Sequence, residues 1–173
     1  MPSARRSSSV STGAEARLHP DARRVGLISD THGLLRKEAL GALAGVDLII
    51  HAGDIGSADI LRSLEQLAPV QAVRGNNDRG AWAAELPDVL DITLAGVAVH
   101  VLHDIKTLRL QHCRVQPAVV IAGHSHKPSV AARDGSLYIN PGSAGPRRFR
   151  LPVTLAFLEI GKNGPRARIE QLL

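Results

Sequence analysis

The chain has 173 residues, a formal net charge of +5 and one cysteine, Cys113. This length fits a single domain with a substantial core, and one cysteine excludes an intramolecular disulfide framework and a C-x-x-C zinc knuckle. Aromatic residues make up only 2% of the chain, and much of the positive charge is confined to the N-terminal stretch and one late loop. This composition lacks the stacking platform of single-stranded nucleic-acid binders, so nucleic acid is not expected as a partner.

The first 22 residues are rich in arginine and serine and contain no apolar core of a secretory signal. We predict a disordered tail over 1–22 and one folded domain over 23–173, with a transit peptide as a minor alternative for the tail. No later segment approaches the ~18 apolar residues of a membrane span. The sequence therefore favours a cytoplasmic protein that does not enter membranes, and it leaves homo-oligomerisation open.

In the first half of the domain, short apolar runs alternate with helical segments, which is the pattern of a layered α/β fold. Two helices are predicted, one over 36–45 with Gly45 as its C-cap and one over 57–68 with Ser57 as its N-cap. The strands before, between and after them are predicted in RVGLISD (24–30), VDLIIHAGD (46–54) and PVQAVRGNND (69–78). These three strands are expected to be parallel.

The second half is predicted to be mostly antiparallel. It contains one further buried strand, in AVVIAGHSH (118–126), and three hairpins. The predicted hairpin turns are Ala95-Gly96, Asp134-Gly135 and Lys162-Asn163-Gly164. The predicted fold class is therefore α/β.

Polar side chains with metal-ligand chemistry follow five of the predicted strands. In an open α/β sheet the carboxyl ends of the strands share one edge, so these side chains are expected to converge on one crevice. Any one of them alone is more often a turn, cap or solvated residue, but seven at strand ends are much harder to explain in that way. The seven are Asp30, His32, Asp54, Asn76, His103, His124 and His126.

Two carboxylates, four imidazoles and one amide suit Mn²⁺, iron, Zn²⁺, Co²⁺ or Ni²⁺ better than Ca²⁺. The Asp-x-His and His-x-His pairs are expected to lie along extended segments, so that both side chains of each pair point the same way. Seven ligands exceed the needs of one ion, which favours two ions that share a bridging carboxylate. Two ions ~3.5–4 Å apart are a recurring device for phosphoester hydrolysis, in which a bridging water becomes hydroxide.

Five short motifs follow one another between Val25 and roughly Arg150: SDTHG, HAGD, RGNND, GHSH and NPGS. Together they resemble the motifs of the calcineurin-like metallophosphoesterases, and more closely those of the small bacterial and archaeal YfcE-type phosphodiesterases. The resemblance implies a four-layer αββα sandwich with its site at the carboxyl ends of the strands.

The resemblance also implies how two divalent ions would be held. Asp54 would bridge the ions, and each ion would have three further ligands. These would be Asp30, His32 and His126 for the first ion and Asn76, His103 and His124 for the second. Catalysis would depend most directly on Asp54, Asn76 and His124. Mn²⁺ is the first expectation for the metal, with Ni²⁺, Fe²⁺, Zn²⁺ and Co²⁺ as alternatives.

The chain departs from the pattern of many larger relatives at Asn77, where they have a histidine. An amide cannot protonate an alkoxide at neutral pH, so we expect a preference for phosphoesters with good leaving groups, such as aryl esters. Asn77 and Arg147 are the predicted substrate contacts, with Arg148 as the alternative to Arg147 for binding a phosphate.

Four further polar residues have structural or supporting interpretations. Asp104 is either a partner of a ligand histidine or a helix N-cap, and Asp78 either supports the site from behind or belongs to a turn. His51 and His100 are predicted to pack or to face solvent rather than to bind metal.

The leading hypothesis is a phosphodiesterase that hydrolyses small phosphodiesters through a metal-bridged hydroxide. A nuclease or nucleotide phosphatase of the same fold would show the same ligands and stays open as an alternative. A non-catalytic protein-binding scaffold of the same fold is the third hypothesis, and the complete set of ligand side chains argues against it.

Overall fold

Residues 17–19 and 21–173 are described by the computed structural model, in which two β-sheets pack face to face. The strands of the first sheet are Arg24–Ile28 (β2), Leu48–His51 (β3), Val70–Ala72 (β4), Thr154–Gly161 (β10) and Gly164–Gln171 (β11). Their order is β11-β10-β2-β3-β4. β2, β3 and β4 are parallel, and the β10–β11 hairpin continues the sheet antiparallel to β2.

The strands of the second sheet are Arg17–His19 (β1), Val89–Leu94 (β5), Val97–Leu102 (β6), Val119–Ile121 (β7), Ser129–Arg133 (β8) and Ser136–Asn140 (β9). Their order is β1-β5-β6-β7-β9-β8. β5–β6 and β8–β9 are antiparallel hairpins, whereas β7 is parallel to both of its neighbours. The carboxyl ends of β6 and β7 therefore lie at the same edge of the sheet.

Aliphatic side chains fill the space between the two sheets. Because side chains alternate along a strand, every second residue of the central strands points into this layer. The fully or almost fully buried members include Leu27, Leu48, Ile50, Ile92, Val101 and Ile121. Burial of each such side chain contributes roughly 1.5–3 kcal/mol to folding, so this layer fixes the two sheets against each other.

The outer faces of the two sheets are covered differently. Helices Lys37–Leu43 (α1) and Ala58–Glu65 (α2) bury Leu43 and Leu64 in one cluster with side chains of the five-stranded sheet. A one-turn helix, Ala81–Ala84 (α3), follows β4. On the six-stranded sheet, a smaller cluster of Leu102, Val120 and Ala122 packs with Leu108, which lies between two short 3₁₀ helices, Ile105–Thr107 and Leu110–His112.

The predicted α/β sandwich is confirmed, and strands β2 to β11 and helices α1 and α2 lie where the sequence pattern predicts them. The first two hairpins turn at the predicted dipeptides, Ala95-Gly96 and Asp134-Gly135. Both residues of each dipeptide have positive φ, as a two-residue type I′ turn requires. The outer layer on the six-stranded sheet is thin, since 3₁₀ turns occupy it. Within the described ranges, no helix is long and apolar enough to cross a membrane.

The structure differs from the predictions at two places. The predicted tail over 1–22 falls mostly outside the described residues, but β1 lies within it and pairs in parallel with β5. Three residues extend the six-stranded sheet here, and the sequence pattern of so short a strand is too weak to detect. Ser57 occupies the N-cap position of α2, yet its side chain makes no capping hydrogen bond.

Candidate metal centre

The carboxyl ends of strands from both sheets carry the seven predicted ligands. Backbone hydrogen bonds join the loops that follow these strands: Asp30 N donates to Gly53 O at 3.0 Å, and Gly123 N donates to His103 O at 3.0 Å. The loops after β2, β3 and β4 supply Asp30, His32, Asp54 and Asn76, and those after β6 and β7 supply His103, His124 and His126. The site therefore lies at one edge of the sandwich and takes ligands from both sheets.

Most of the predicted ligands have a left-handed backbone conformation, which is uncommon for residues other than glycine. The expectation that the Asp-x-His and His-x-His pairs lie along extended segments is wrong. Left-handed turns, rather than strand periodicity, aim these side chains at a common point, and such local strain is typical of functional sites. The residues and their φ angles are Asp30 (54°), His32 (46°), Asp54 (53°), His124 (67°) and His126 (59°).

Asp30, His32 and His126 form the first half of the centre. Nε2 of His126 lies 3.2 Å from Oδ1 of Asp30 and 3.2 Å from Nε2 of His32. Asp30 is fully buried, and its Oδ2 accepts hydrogen bonds from Ser29 Oγ at 2.6 Å and from His124 N at 3.0 Å. These contacts orient the carboxylate and leave Oδ1 directed at the two imidazoles.

Two polar atoms of this half have no hydrogen bond although they are buried. Among the described side chains, Asp30 Oδ1 and His126 Nδ1 lack a partner of acceptable geometry. A buried carboxylate oxygen without a partner costs free energy, and a cation between it and the two imidazoles would remove that cost. The three side chains therefore fit a bound metal ion.

Asp54, Asn76, His103 and His124 form the second half. Oδ1 of Asn76 lies 3.0 Å from both Nε2 of His103 and Nδ1 of His124. Oδ2 of Asp54 lies 3.4 Å from His103 Nε2 and 3.8 Å from His32 Nε2, so this carboxylate connects the second half to the first. This is the position expected of a bridging ligand.

The protonation of His103 shows that the second half also fits a cation. Its Nδ1 lies 2.7 Å from Ala52 O, which can only accept, so Nδ1 carries a proton. Nε2 then faces oxygens of Asn76 and Asp54 and needs a positive charge, either its own proton or an ion. Burial alone would lower the pKa of His103, but hydrogen bonds to Asp54 and Ala52 outweigh it and raise the pKa.

The charge of Asp54 is stabilised by its surroundings. Burial favours the neutral acid, but hydrogen bonds from His103 and from Asn77 outweigh burial and hold the pKa of Asp54 far below its usual range. Asn77 contributes twice, because its backbone N donates to Oδ1 at 2.8 Å and its Nδ2 donates to Oδ2 at 2.7 Å. The predicted substrate contact at Asn77 thus has a second role in orienting Asp54.

Asp78 and His51 support the loops that carry the ligands. Asp78 is buried and accepts hydrogen bonds from Gly75 N at 2.8 Å and Gly56 N at 2.9 Å, which joins the loop after β4 to the loop after β3. His51 is fully buried, accepts from Gly53 N at 3.2 Å and contacts Thr31 Oγ1 at 2.9 Å. Both agree with their supporting or packing interpretations.

Asp104 combines both of its predicted roles. Its side chain caps the first 3₁₀ helix by accepting from Lys106 N, with Oδ1 3.0 Å away, while Oδ2 lies 3.8 Å from His124 Nε2. Beside it, an open cleft of about 650 Å³ runs past Asn76, His103 and His124. The cleft gives the second half of the centre access to solvent and to a ligand.

The late arginine loop places Arg148, not Arg147, beside the predicted ligands. Nη2 of Arg148 lies 3.4 Å from Nε2 of His32, whereas Nη2 of Arg147 donates to Leu173 O at 3.3 Å. The sequence names both arginines as alternatives, and only the folded loop shows which one faces the site. The sequence pattern does not single out Ser29 and Thr31 as supporting residues, although both flank Asp30 in the SDTHG motif.

Comparison with known proteins assigns the chain to a family. The family model of the calcineurin-like phosphoesterase superfamily domain matches residues 24–163. The chain belongs to this superfamily. Membership implies divalent metal binding, and the two groups Asp30–His32–His126 and Asp30–Asp54–His103 bring ligand atoms within 4.8 Å of one another.

Two archaeal relatives of this calcineurin-like chain are named probable metallophosphoesterases. The relative from Methanothermobacter thermautotrophicus is 35% identical over 131 residues, which is 69% of this chain and 76% of the relative. The relative from Methanocaldococcus jannaschii is 38% identical over 128 residues, 69% of this chain and 67% of the relative.

Solved structures with the same fold include an enzyme and a sorting protein. An archaeal phosphodiesterase is similar with a TM-score of 0.71 and 25% identity, over 85% of this chain and 99% of that one. Vacuolar protein sorting 29 from Cryptosporidium parvum is similar with a TM-score of 0.67 and 17% identity, over 87% and 98% of the two chains. The second similarity shows the fold alone.

Proposed function

We propose that the protein is a phosphodiesterase that uses two divalent ions to hydrolyse small phosphodiesters. The observation that carries the proposal is the convergence of two carboxylates, four imidazoles and one amide on one edge of the sandwich, with Asp54 between two groups of ligands. The similarity to an archaeal phosphodiesterase supports the same conclusion.

Each half of the centre would hold one ion. Asp54 would contact both ions, and the other ligands would be Asp30, His32 and His126 on one side and Asn76, His103 and His124 on the other. Bound there, two divalent ions supply Lewis-acid activation of water and stabilise negative charge on the phosphate. Mn²⁺ is our first choice of metal, because the ligands are oxygen and imidazole without thiolate.

The substrate would be oriented by side chains around the centre. Arg148 is placed to donate to a phosphate oxygen beside His32, since a guanidinium binds phosphate through two parallel hydrogen bonds. Asn77 can donate a hydrogen bond but cannot protonate the leaving group at neutral pH. The proposed enzyme therefore favours diesters whose leaving group departs without a proton.

Hydrolysis of bis-p-nitrophenyl phosphate by metal-stripped protein tests the proposal. Activity should return with Mn²⁺ or Ni²⁺ and should fall by at least about a thousandfold in Asp54→Asn and His124→Ala, because each removes a ligand. Asp59→Asn and His112→Ala, which make the same substitutions at exposed residues outside the centre, should keep full activity. Full activity in Asp54→Asn and His124→Ala would refute the assigned site.

A substrate panel separates the proposal from its alternatives. Phosphodiesters, cyclic nucleotides, phosphomonoesters and polymeric nucleic acid should be compared with the same metal. Preferential cleavage of polymeric nucleic acid would favour a nuclease, and preferential hydrolysis of nucleoside monophosphates would favour a nucleotide phosphatase. Binding of the ions without hydrolysis of any of these substrates would favour the scaffold alternative.

A further inference from the structure

A second group of metal-ligand side chains lies on the outer face of the six-stranded sheet. Asp91 of β5 and His100 of β6 are direct cross-strand partners. Their neighbours Ile92, Val99 and Val101 point into the core, so these two side chains point outward. Cys113, directly after the second 3₁₀ helix, brings its thiol to the same place. None of the three belongs to the candidate metal centre.

The three donor atoms converge on one point. Nδ1 of His100 lies 2.8 Å from Oδ1 of Asp91 and 3.6 Å from Sγ of Cys113, and all three atoms lie within 4.8 Å of one another. A catalytic Cys-His-Asp relay would use both ring nitrogens, one for each partner. Here both partners approach the same nitrogen, which excludes a relay, and the Cys113 thiol makes one further weak contact by donating to Arg109 O at 4.0 Å.

The spacing is close to that around a tetrahedral zinc ion. Zn–N and Zn–S bonds of ~2.0 and ~2.3 Å place nitrogen and sulfur ligands roughly 3.5 Å apart, near the observed Sγ–Nδ1 distance of 3.6 Å. The nitrogen and oxygen ligands would lie roughly 3.3 Å apart, so the Asp91 carboxylate would withdraw by about 0.5 Å. Asp91 is 58% exposed and can make this adjustment.

Burial and charge are also suitable for an ion. The side chain of His100 is only 8% exposed, which fixes its ring, while Asp91 leaves one side open to solvent. A cation bound between the three donors would hold Cys113 as a thiolate, and the Asp91 carboxylate would neutralise part of the cation's charge. The donor set of nitrogen, oxygen and sulfur favours Zn²⁺ over the harder Mn²⁺ and Mg²⁺.

We propose that Asp91, His100 and Cys113 form a second, separate binding site for one divalent transition-metal ion such as Zn²⁺. The ion would connect the segment between β6 and β7 to the β5–β6 hairpin. That segment begins at His103 and includes Asp104 beside the cleft, so the site would brace one wall of the candidate metal centre from outside.

Cobalt binding provides a test that does not depend on phosphoesterase activity. The chain has one cysteine, so thiolate-to-Co²⁺ charge-transfer absorption in the near ultraviolet can only report Cys113. Titration of metal-free full-length protein should develop this band fully by three Co²⁺ per chain, because the candidate metal centre would also take up Co²⁺, and excess Zn²⁺ should abolish it. The band should disappear in Cys113→Ser and persist in Asp30→Asn, which alters only the candidate metal centre.

The other two ligands are tested by affinity. Asp91→Asn and His100→Gln should each raise the dissociation constant for Co²⁺, read from the thiolate band, by at least about tenfold. Asp91→Asn is the decisive variant, because an exposed residue can be changed without disturbing the core. The proposal is overturned by absence of the band at saturating Co²⁺, by dimerisation of the protein as the band forms, or by an unchanged affinity in Asp91→Asn.

Discussion

Asp54 is a buried carboxylate, and its proposed role as a metal ligand requires a negative charge. Its side chain is almost completely buried, which disfavours a charge, yet the proposed bridge between two ions requires it to stay ionised. Asn77 resolves the conflict by donating from both its backbone and its side chain to the carboxylate. Asn77 therefore offers a leaving group no proton but keeps Asp54 charged.

We predict that Asn77 limits the range of leaving groups. Without a general acid, rates should fall steeply as the leaving group becomes more basic, so p-nitrophenyl diesters should react much faster than simple alkyl diesters. The measurement is the slope of log kcat/KM against leaving-group pKa. In Asn77→His the slope should become shallower, and equal rates on aryl and alkyl diesters in the natural sequence would contradict the prediction.

Arg148 and Arg147 make a matched pair for testing phosphate recognition. Arg148→Ala should lower kcat/KM by roughly ten- to a hundredfold, the effect of losing a charge-assisted hydrogen bond worth about 1.5–3 kcal/mol. Arg147→Ala removes the same charge from the neighbouring position, where the side chain contacts Leu173 O, and should have little effect. Equal losses in both variants would show a general charge effect instead.

His51 should make the metal-free protein sensitive to mild acid. Burial lowers the pKa of His51 from 6.5 to about 3 in the folded state. Between pH 6.5 and about 3, the unfolded chain binds a proton at His51 that the folded chain does not bind. The contribution of neutral His51 to the free energy of unfolding is therefore complete above pH 6.5 and is lost as the pH falls towards about 3.

The free energy of unfolding, measured by denaturant titration, should fall by about 1 kcal/mol between pH 6 and pH 5 because of this one group. His51→Gln replaces the imidazole by an amide that does not titrate. This variant should therefore lose about that much less free energy over the same interval, and an identical pH slope in both proteins would rule out the proposed origin.

At the scale of elements, the strands and the convergence of the seven candidate side chains could be predicted because both follow from local patterns. Buried aliphatic runs identify strands, and polar residues directly after them identify one edge of a sheet. The left-handed conformations at Asp30 and His126 could not be predicted, because positive φ is uncommon in every residue except glycine, although aspartate and histidine adopt it more often than most. The choice of Arg148 over Arg147 and the three-residue strand β1 depend on tertiary contacts that no local pattern encodes.

Close packing of the ligand loops makes Gly75 sensitive to substitution. A Cβ at this position would lie 2.1 Å from Asp54 N and 2.2 Å from Asp54 Oδ1. Gly75→Ala should therefore destabilise the protein by roughly 1–3 kcal/mol and weaken ion binding, because backbone and ligand cannot both move away.

Gly41 in α1 is the control for this substitution. A Cβ there has no neighbour within 4 Å, so Gly41→Ala should stabilise the helix by about 0.5–1 kcal/mol. Thermal unfolding of both variants, with and without Mn²⁺, checks the contrast. If Gly75→Ala were as stable as Gly41→Ala, the loops after β3 and β4 would not be in contact.

At the scale of the molecule, the candidate centre joins the two sheets. The first sheet provides Asp30, His32, Asp54 and Asn76, and the second provides His103, His124 and His126. Elsewhere the two sheets are held together by aliphatic packing, which is not directional. Ions bound at this edge would act as cross-links between the layers, and their binding free energy would contribute to the stability of the whole domain.

Removal of the ions should therefore lower the unfolding temperature of the entire protein in a single transition. At a free Mn²⁺ concentration of 100 times its dissociation constant, each bound ion adds about 2.7 kcal/mol, which corresponds to roughly 5–10 °C per ion for a domain of this size. Calorimetry with Mn²⁺ and with a chelator measures the shift.

Cys113→Ser should retain this shift in unfolding temperature, because Mn²⁺ prefers the oxygen and imidazole ligands, whereas Asp54→Asn should lose most of it. A shift of equal size in Asp54→Asn would mean that the ions stabilise the protein elsewhere, and two separate transitions would mean that the sheets unfold independently.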